Sequence, residues 1–203
     1  LHALWRDAAG STAVEYAMVG PLFLALITGI LYIALNNVAQ AGLETAAESS
    51  ARLIMTGLAQ SGSVTNSSNT TNIGMTATDF KSAICNGTTI TTPSGGTVSV
   101  PKMLPPFLVC SRLTVNVAPA SYSQAALALQ YNSNGTVNTS YNTNSSTGGQ
   151  NSVMMVQLIY DWPTFSGLFG LNLANENNGS RRLVATSVFT TESYTCAASQ
   201  TSC

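Results

Sequence analysis

Side chains able to do covalent or acid–base chemistry are few and scattered in this 203-residue chain. The single histidine is His2, and Asp79, Asp161, Glu176 and Glu192 share no spacing that would set a general acid beside a general base. No Gly-rich phosphate loop and no cluster with metal-ligand spacing occurs, so the expectation is a non-enzyme with no metal and no cofactor. The four cysteines, Cys85, Cys110, Cys196 and Cys203, contain no CxxC pair and have no histidine nearby, which argues against zinc and dithiol redox chemistry. An even count outside metal spacing favours disulfides in an oxidising compartment. Local order suggests Cys85 with Cys110 and Cys196 with Cys203, and the other two pairings stay open. Seven Asn-x-Ser/Thr sequons, at Asn66, Asn69, Asn86, Asn134, Asn138, Asn144 and Asn178, are candidate glycosylation sites. Chance alone predicts about 4 from this composition, so the excess is small.

One carboxylate stands apart. In "GSTAVEYAMVGPLF", residues 10–23, Glu15 sits at the edge of an otherwise apolar run. Ala17 to Leu35 is 19 residues without a charge, about 28 Å of helix and close to the hydrocarbon thickness of a bilayer. A buried core helix rarely stays apolar on every face for that length, so a membrane-competent helix is expected. A small-x-small cleavage site does not follow it, as it would in a secretory signal peptide. Instead the helical pattern continues, with Gln40, Glu44, Glu48 and Arg52 along one polar stripe and Leu43, Ala47, Ile54 and Leu58 along an apolar one. Glu48 precedes Arg52 at the favourable i, i+4 spacing. One helix from about Thr12 to about Gly57 is predicted, with a kink or melted turn where Pro21 removes a hydrogen bond.

Charged residues make up 7% of the chain and the net charge is −1, which provides no footprint for nucleic acid. Ser, Thr, Asn and Gly carry the solubility instead. Arg6 before the span and Arg52 after it give a mild push toward a cytoplasmic N-terminus, placing the bulk and its cysteines outside the cytoplasm.

The elements beyond the helix read as an α+β head with a small antiparallel sheet. "QSGSVTNSSNTTNIG", residues 60–74, reads as a surface loop. "TATDFKSAIC" reads as a short helix with Thr76 as N-cap and Asp79 three residues on. Strands are expected at about Thr97–Val100, Leu108–Val117, Met154–Trp162 and Leu183–Glu192. They would form a sheet with one face packed on the amphipathic half of the long helix. "YSQAALALQ", residues 122–130, favours helix, and the polar stretch that follows it favours a long exposed loop. "PTFSGLFGLNLA", residues 163–174, is either core or a docking patch. The expected division is a polar leader at 1–10, the long helix at 11–58 and an extracytoplasmic head at 59–203.

A polar leader, then Gly, four residues, Glu and an apolar helix is the layout of type IV prepilin-like proteins. The wider stretch "WRDAAGSTAVEYAMVGPLFLALITGILYIALNNVAQAGLETAAESSARLI" resembles the TadE-like family of the tight-adherence (Flp) pilus system. "CSRLTVNV" at 110–117 and "RLVATSVFTTESY" at 182–194, preceded by "VMMVQLIYDWP", look like later pieces of that family. The resemblance implies processing by a prepilin peptidase between Gly10 and Ser11. It also implies a subunit that leaves the inner membrane to join copies of itself and other pilin-like subunits at the cell surface. Glu15 would then be the fifth mature residue and pair with the Ser11 amine of a neighbour, while Tyr16, Gly20, Pro21 and Gly29 would lie in the subunit packing. The bland alternative for Glu15 is a carboxylate at headgroup depth that reaches water and favours the positive end of the helix dipole. The alternative for the whole chain is a membrane-anchored surface or periplasmic binding module, or an assembly factor.

Overall fold

The computed structural model describes residues 8–65, 71–120, 137–140, 149–164, 174–176 and 179–200. They form an α+β protein: one long N-terminal helix followed by antiparallel sheets. Helix α1 spans Ala8–Met55, starting earlier than expected and ending two residues sooner. It runs unbroken through Pro21, so the melted turn expected there does not form. A proline costs the helix one hydrogen bond and a local clash, and the intact turns on either side hold the chain helical across it.

The helix stops where Gly57 adopts φ 77°, a left-handed conformation that L side chains avoid. Tyr194 occupies the space above it, so a Cβ at Gly57 would collide with the Tyr194 ring. A short helix α2, Leu58–Ser61, follows. Among its described residues, the segment read as a surface loop at 60–74 holds the end of α2 and two strands. Strand β1, Ser63–Thr65, pairs antiparallel with β2, Thr71–Ile73. Three-residue strands are too short to show alternation, which is why the sequence pattern hid them.

Helix α3, Ala77–Asn86, starts as its sequence predicts. The Thr76 hydroxyl accepts from the Asp79 amide at 3.2 Å, and the Asp79 carboxylate accepts from the Thr76 amide at 3.2 Å. This reciprocal pair satisfies two otherwise orphaned donors. β3, Thr88–Thr91, and β4, Thr97–Val100, form a hairpin closed by Thr92–Gly96, in which Gly95 takes φ 86°. These strands complete a four-stranded sheet in the order β2-β1-β3-β4.

A second sheet has the order β5-β6-β7. Its strands are β5 at Leu113–Pro119, β6 at Val153–Pro163 and β7 at Ser180–Thr190. β5 begins five residues later than expected, because Cys110–Arg112 closes into a 3₁₀ turn instead of extending. β5 and β6 are antiparallel. β6 and β7 are too, since Asp161 bonds Arg182 while Gln157 bonds Thr186, so the numbers rise on one strand as they fall on the other. Asn116, Gln157 and Thr186 form a side-chain rung across all three strands, at 2.9 and 3.3 Å. The amides of Asn116 and Gln157 are buried yet paired, so their burial carries little penalty and pins the register.

The chain divides into two compact units. The first comprises Leu1–Val38 and Pro163–Arg181. The second, Ala39–Trp162 with Arg182–Cys203, holds the main core. There Ala39, Leu43, Ala46, Ala47 and Ile54 of α1 bury themselves with Phe80 and Ile84 of α3 and Met154, Val156, Leu158 and Tyr160 of β6. Leu43, Ala47 and Ile54 are thus buried as their spacing predicts, Leu58 is half-buried, and Glu44, Glu48 and Arg52 face solvent. Cys85 of α3 is disulfide-bonded to Cys110, with Cα atoms 5.8 Å apart. Cys196 is also disulfide-bonded, and Cys203 lies outside the described residues. So do His2, Asn66, Asn69, Asn134, Asn144, Asn178, the segment 122–130 and nearly all of 163–174.

Candidate functional site: the apolar surface of the long helix

Large apolar side chains normally leave water on folding, at about 25 cal/mol for each Å² covered. The first half of α1 does the reverse. Val14, Met18, Val19, Leu22, Phe23, Leu24, Leu26, Ile30, Leu31, Ile33, Leu35 and Val38 are all exposed. At 3.6 residues per turn they cover every side of the helix up to Leu24, and from Ala25 to Asn36 every side but the face of Ala25, Gly29, Tyr32 and Asn36, which is half-buried or buried. The helix is long and apolar enough to cross a membrane, with almost none of its apolar window buried. Only from Tyr32 and Asn36 onward does it bury residues, one helical turn apart and then along the core-facing stripe.

Polar groups within this span are few. The Thr28 hydroxyl donates to the Leu24 carbonyl at 2.9 Å and lies 3.0 Å from the Ala25 carbonyl. It is satisfied within its own helix, as a hydroxyl in hydrocarbon must be. Glu15 is exposed and has no ion-pair partner among the described residues. Its carboxylate therefore meets whatever medium or molecule surrounds the helix. Tyr16 is exposed beside it. A Cβ at Gly20 or Gly29 would touch nothing within 4 Å, so neither glycine is needed for packing among the described residues. Both leave shallow notches where another helix could approach closely. The Gly10–Ser11 bond lies within α1 as the structure places it.

Elsewhere Asn86 and Asn138 are exposed, and the described residues contain no group of three His, Cys, Asp or Glu able to hold a metal ion. Asp161 is paired with Arg182 at 3.2 Å. Burial raises the Tyr194 phenol above its ordinary range. The sequence reading missed the cluster of Arg112, Asp161 and Arg182, because its members come from the 3₁₀ turn before β5, from β6 and from β7, and no local spacing joins them.

Residues 10–52 match the family described as TadE-like protein. The match starts at the glycine of the expected processing site, contains Glu15 and the whole apolar span, and ends at Arg52. The later segments at 110–117 and 182–194 lie outside it and form the 3₁₀ turn with β5, and β7 with the residues after it. No curated protein and no solved structure matches the chain at a significant level.

Proposed function

From this TadE-like N-terminal element we propose that the chain is a structural, pilin-like subunit that self-associates through α1 in a cell-surface filament of the tight-adherence class. One observation carries the reading: the matched segment contains the stretch from Val14 to Val38 in which nearly all the large apolar side chains are exposed. Such a surface is stable only in lipid or against other apolar helices. Moving α1 from a bilayer into a bundle of its own copies exchanges one apolar environment for another, at little hydrophobic cost. The protein is thus held in the inner membrane as a precursor and passes to the surface on assembly, with other pilin-like subunits as further partners.

Glu15 supplies direction to that transfer. A carboxylate at the edge of hydrocarbon costs several kcal/mol without a partner. Cleavage between Gly10 and Ser11 by a prepilin peptidase would create an amine one helical turn before Glu15. Pairing of Glu15 with the Ser11 amine of a neighbouring subunit would neutralise both charges and set the axial register.

The test is intact-mass and N-terminal peptide mass spectrometry on fibres sheared from native cells, for the parent chain and for Glu15→Gln. The expected result is abundant chain beginning at Ser11 in parent fibres. Glu15→Gln should leave the protein in the membrane at normal level and remove it from fibres by tenfold or more, the effect of about 1.4 kcal/mol or more per added subunit. Parent chain retained in the membrane of piliated cells would overturn the filament role and favour an anchored module or assembly factor.

A further inference from the structure

The β2-β1-β3-β4 sheet lies wholly within the second compact unit, and among the described residues no strand pairs with the outer edge of β2 or of β4. Which peptide groups those edges present follows from hydrogen bonds at the ends of the strands. Opposed residues in an antiparallel pair alternate between those that exchange hydrogen bonds and those whose peptide groups point away from the partner. The Thr92 amide donates to the Gly96 carbonyl at 2.7 Å, and these two residues continue the β3-β4 register. Counting from them, Val98 and Val100 bond β3, while Thr97 and Ser99 turn their N–H and C=O groups outward. At the opposite edge the Gly74 amide donates to the Gly62 carbonyl at 2.9 Å, in register with β1 and β2. Asn72 therefore bonds β1, while Thr71 and Ile73 turn their peptide groups outward. Each edge thus offers outward peptide groups at two positions, with one residue between them.

Open edges are normally guarded by lysine, proline or a bulge. Neither β2 nor β4 contains a charge or a proline, and the β3-β4 register runs without a bulge. Thr71, Ile73, Thr97, Val98 and Ser99 are all exposed. Asn72 is paired with the buried Val64, and Val98 with the buried Ile90, so both side chains lie on the core-facing side of the sheet. Val98 is nevertheless 37% exposed, and Ile73 on the other face is 44% exposed. Direction decides what fits these edges. Every pairing within the sheet is antiparallel, so β2 and β4, first and last in the order, run in opposite directions. Two copies of the chain in the same orientation bring β4 of one and β2 of the next together antiparallel. Setting Thr97 against Ile73 and Ser99 against Thr71 joins outward groups to outward groups, and it places Val98 opposite Asn72.

We propose that β4 of one copy adds edge to edge to β2 of the next when subunits assemble. The occupant is a second copy in the same orientation, because joining unlike edges leaves one edge free at each end, as an open filament requires, whereas β4 against β4 closes a dimer. The pairing rests on the filament reading and adds to it a contact between sheets, distinct from the packing of α1.

Val98 and Asn72 of the next copy would face each other at a non-hydrogen-bonded position, with Cα atoms about 4.5 Å apart and within reach of a disulfide. Within one chain the two positions are separated by three strand spacings, about 14 Å, which no disulfide spans. The full chain carrying Asn72→Cys/Val98→Cys, and each single variant, would be expressed in native cells, and sheared fibres would be oxidised and run on a non-reducing gel. The expected result is a ladder of linked oligomers from the double variant, joined through positions 72 and 98 by peptide mass spectrometry, and monomers from each single variant. Ser99→Pro removes an outward N–H and no bond to β3, so the circular dichroism spectrum should be unchanged while the amount of chain in fibres falls about tenfold. Dimers from Val98→Cys alone, absence of a ladder in fibres that contain the double variant, or parental amounts of the Ser99→Pro chain in fibres would each overturn the edge pairing. Parent chain missing from the fibres of piliated cells would instead overturn the filament reading itself.

Discussion

Among single residues, the glycines divide into two kinds that the sequence does not distinguish. Gly57 has a positive φ and lies under the Tyr194 ring, so a methyl group there meets both backbone strain and a collision. Gly57→Ala should lower stability by about 2–4 kcal/mol, measured by denaturant unfolding of the full chain in detergent. Gly20 and Gly29 face open space. Gly20→Ala and Gly29→Ala should leave that unfolding curve within about 0.5 kcal/mol of the parent, and a loss of fibres from either variant would then place the defect between subunits. Glu15 was legible as an oddity from its neighbours alone, because a charge beside a run of 19 uncharged residues is conspicuous. Asp161 was not, since its meaning depends on Arg182 and Arg112, 21 and 49 residues away in sequence.

The elements were legible in proportion to how local their causes are. Helix α3 begins where Thr76 and Asp79 say it must, because a capping box is a contact within one turn. Thr76→Ala should cost about 1 kcal/mol in the same unfolding measurement, and an unchanged midpoint would mean that tertiary packing alone holds the helix start. β6 and β7 were foreseen from long β-rich runs. The hairpin of β3 and β4 was half seen. Its turn "TPSGG" carries a clear turn signal, yet β3 is a four-residue run of "TTIT" in which only Ile90 is buried. β1 and β2 gain their stability by pairing with each other, and β1 with β3, a cause that is not local. Of the kink or melted turn expected at Pro21, the unbroken helix excludes the melted turn, since the turns on both sides hold the chain helical across it.

Across the whole molecule, the Cys85–Cys110 bridge ties α3 to the turn that launches β5. Closing a 25-residue separation restricts the unfolded chain by about 3.5 kcal/mol at room temperature. A Cys85→Ala/Cys110→Ala chain should be less stable by roughly that amount, and a difference under 1 kcal/mol would show that the surrounding core holds this junction unaided. The sequence by itself determined the long apolar helix, the amphipathic continuation that buries Leu43, Ala47 and Ile54, the α+β class and the TadE-like element over residues 10–52. The helix and its buried stripe are written in composition and in the 3.6-residue period, which report what a helix does with its own neighbours, the α+β class also in the β-rich runs that follow, and the TadE-like element in the match of residues 10–52 to that family. Tertiary structure alone decided that the strands form two sheets, that Asn116, Gln157 and Thr186 share one rung, and that Arg112, Asp161 and Arg182 meet. Those outcomes depend on which distant segments pair and in what register, and register is set by packing across strands, which no window along the chain contains.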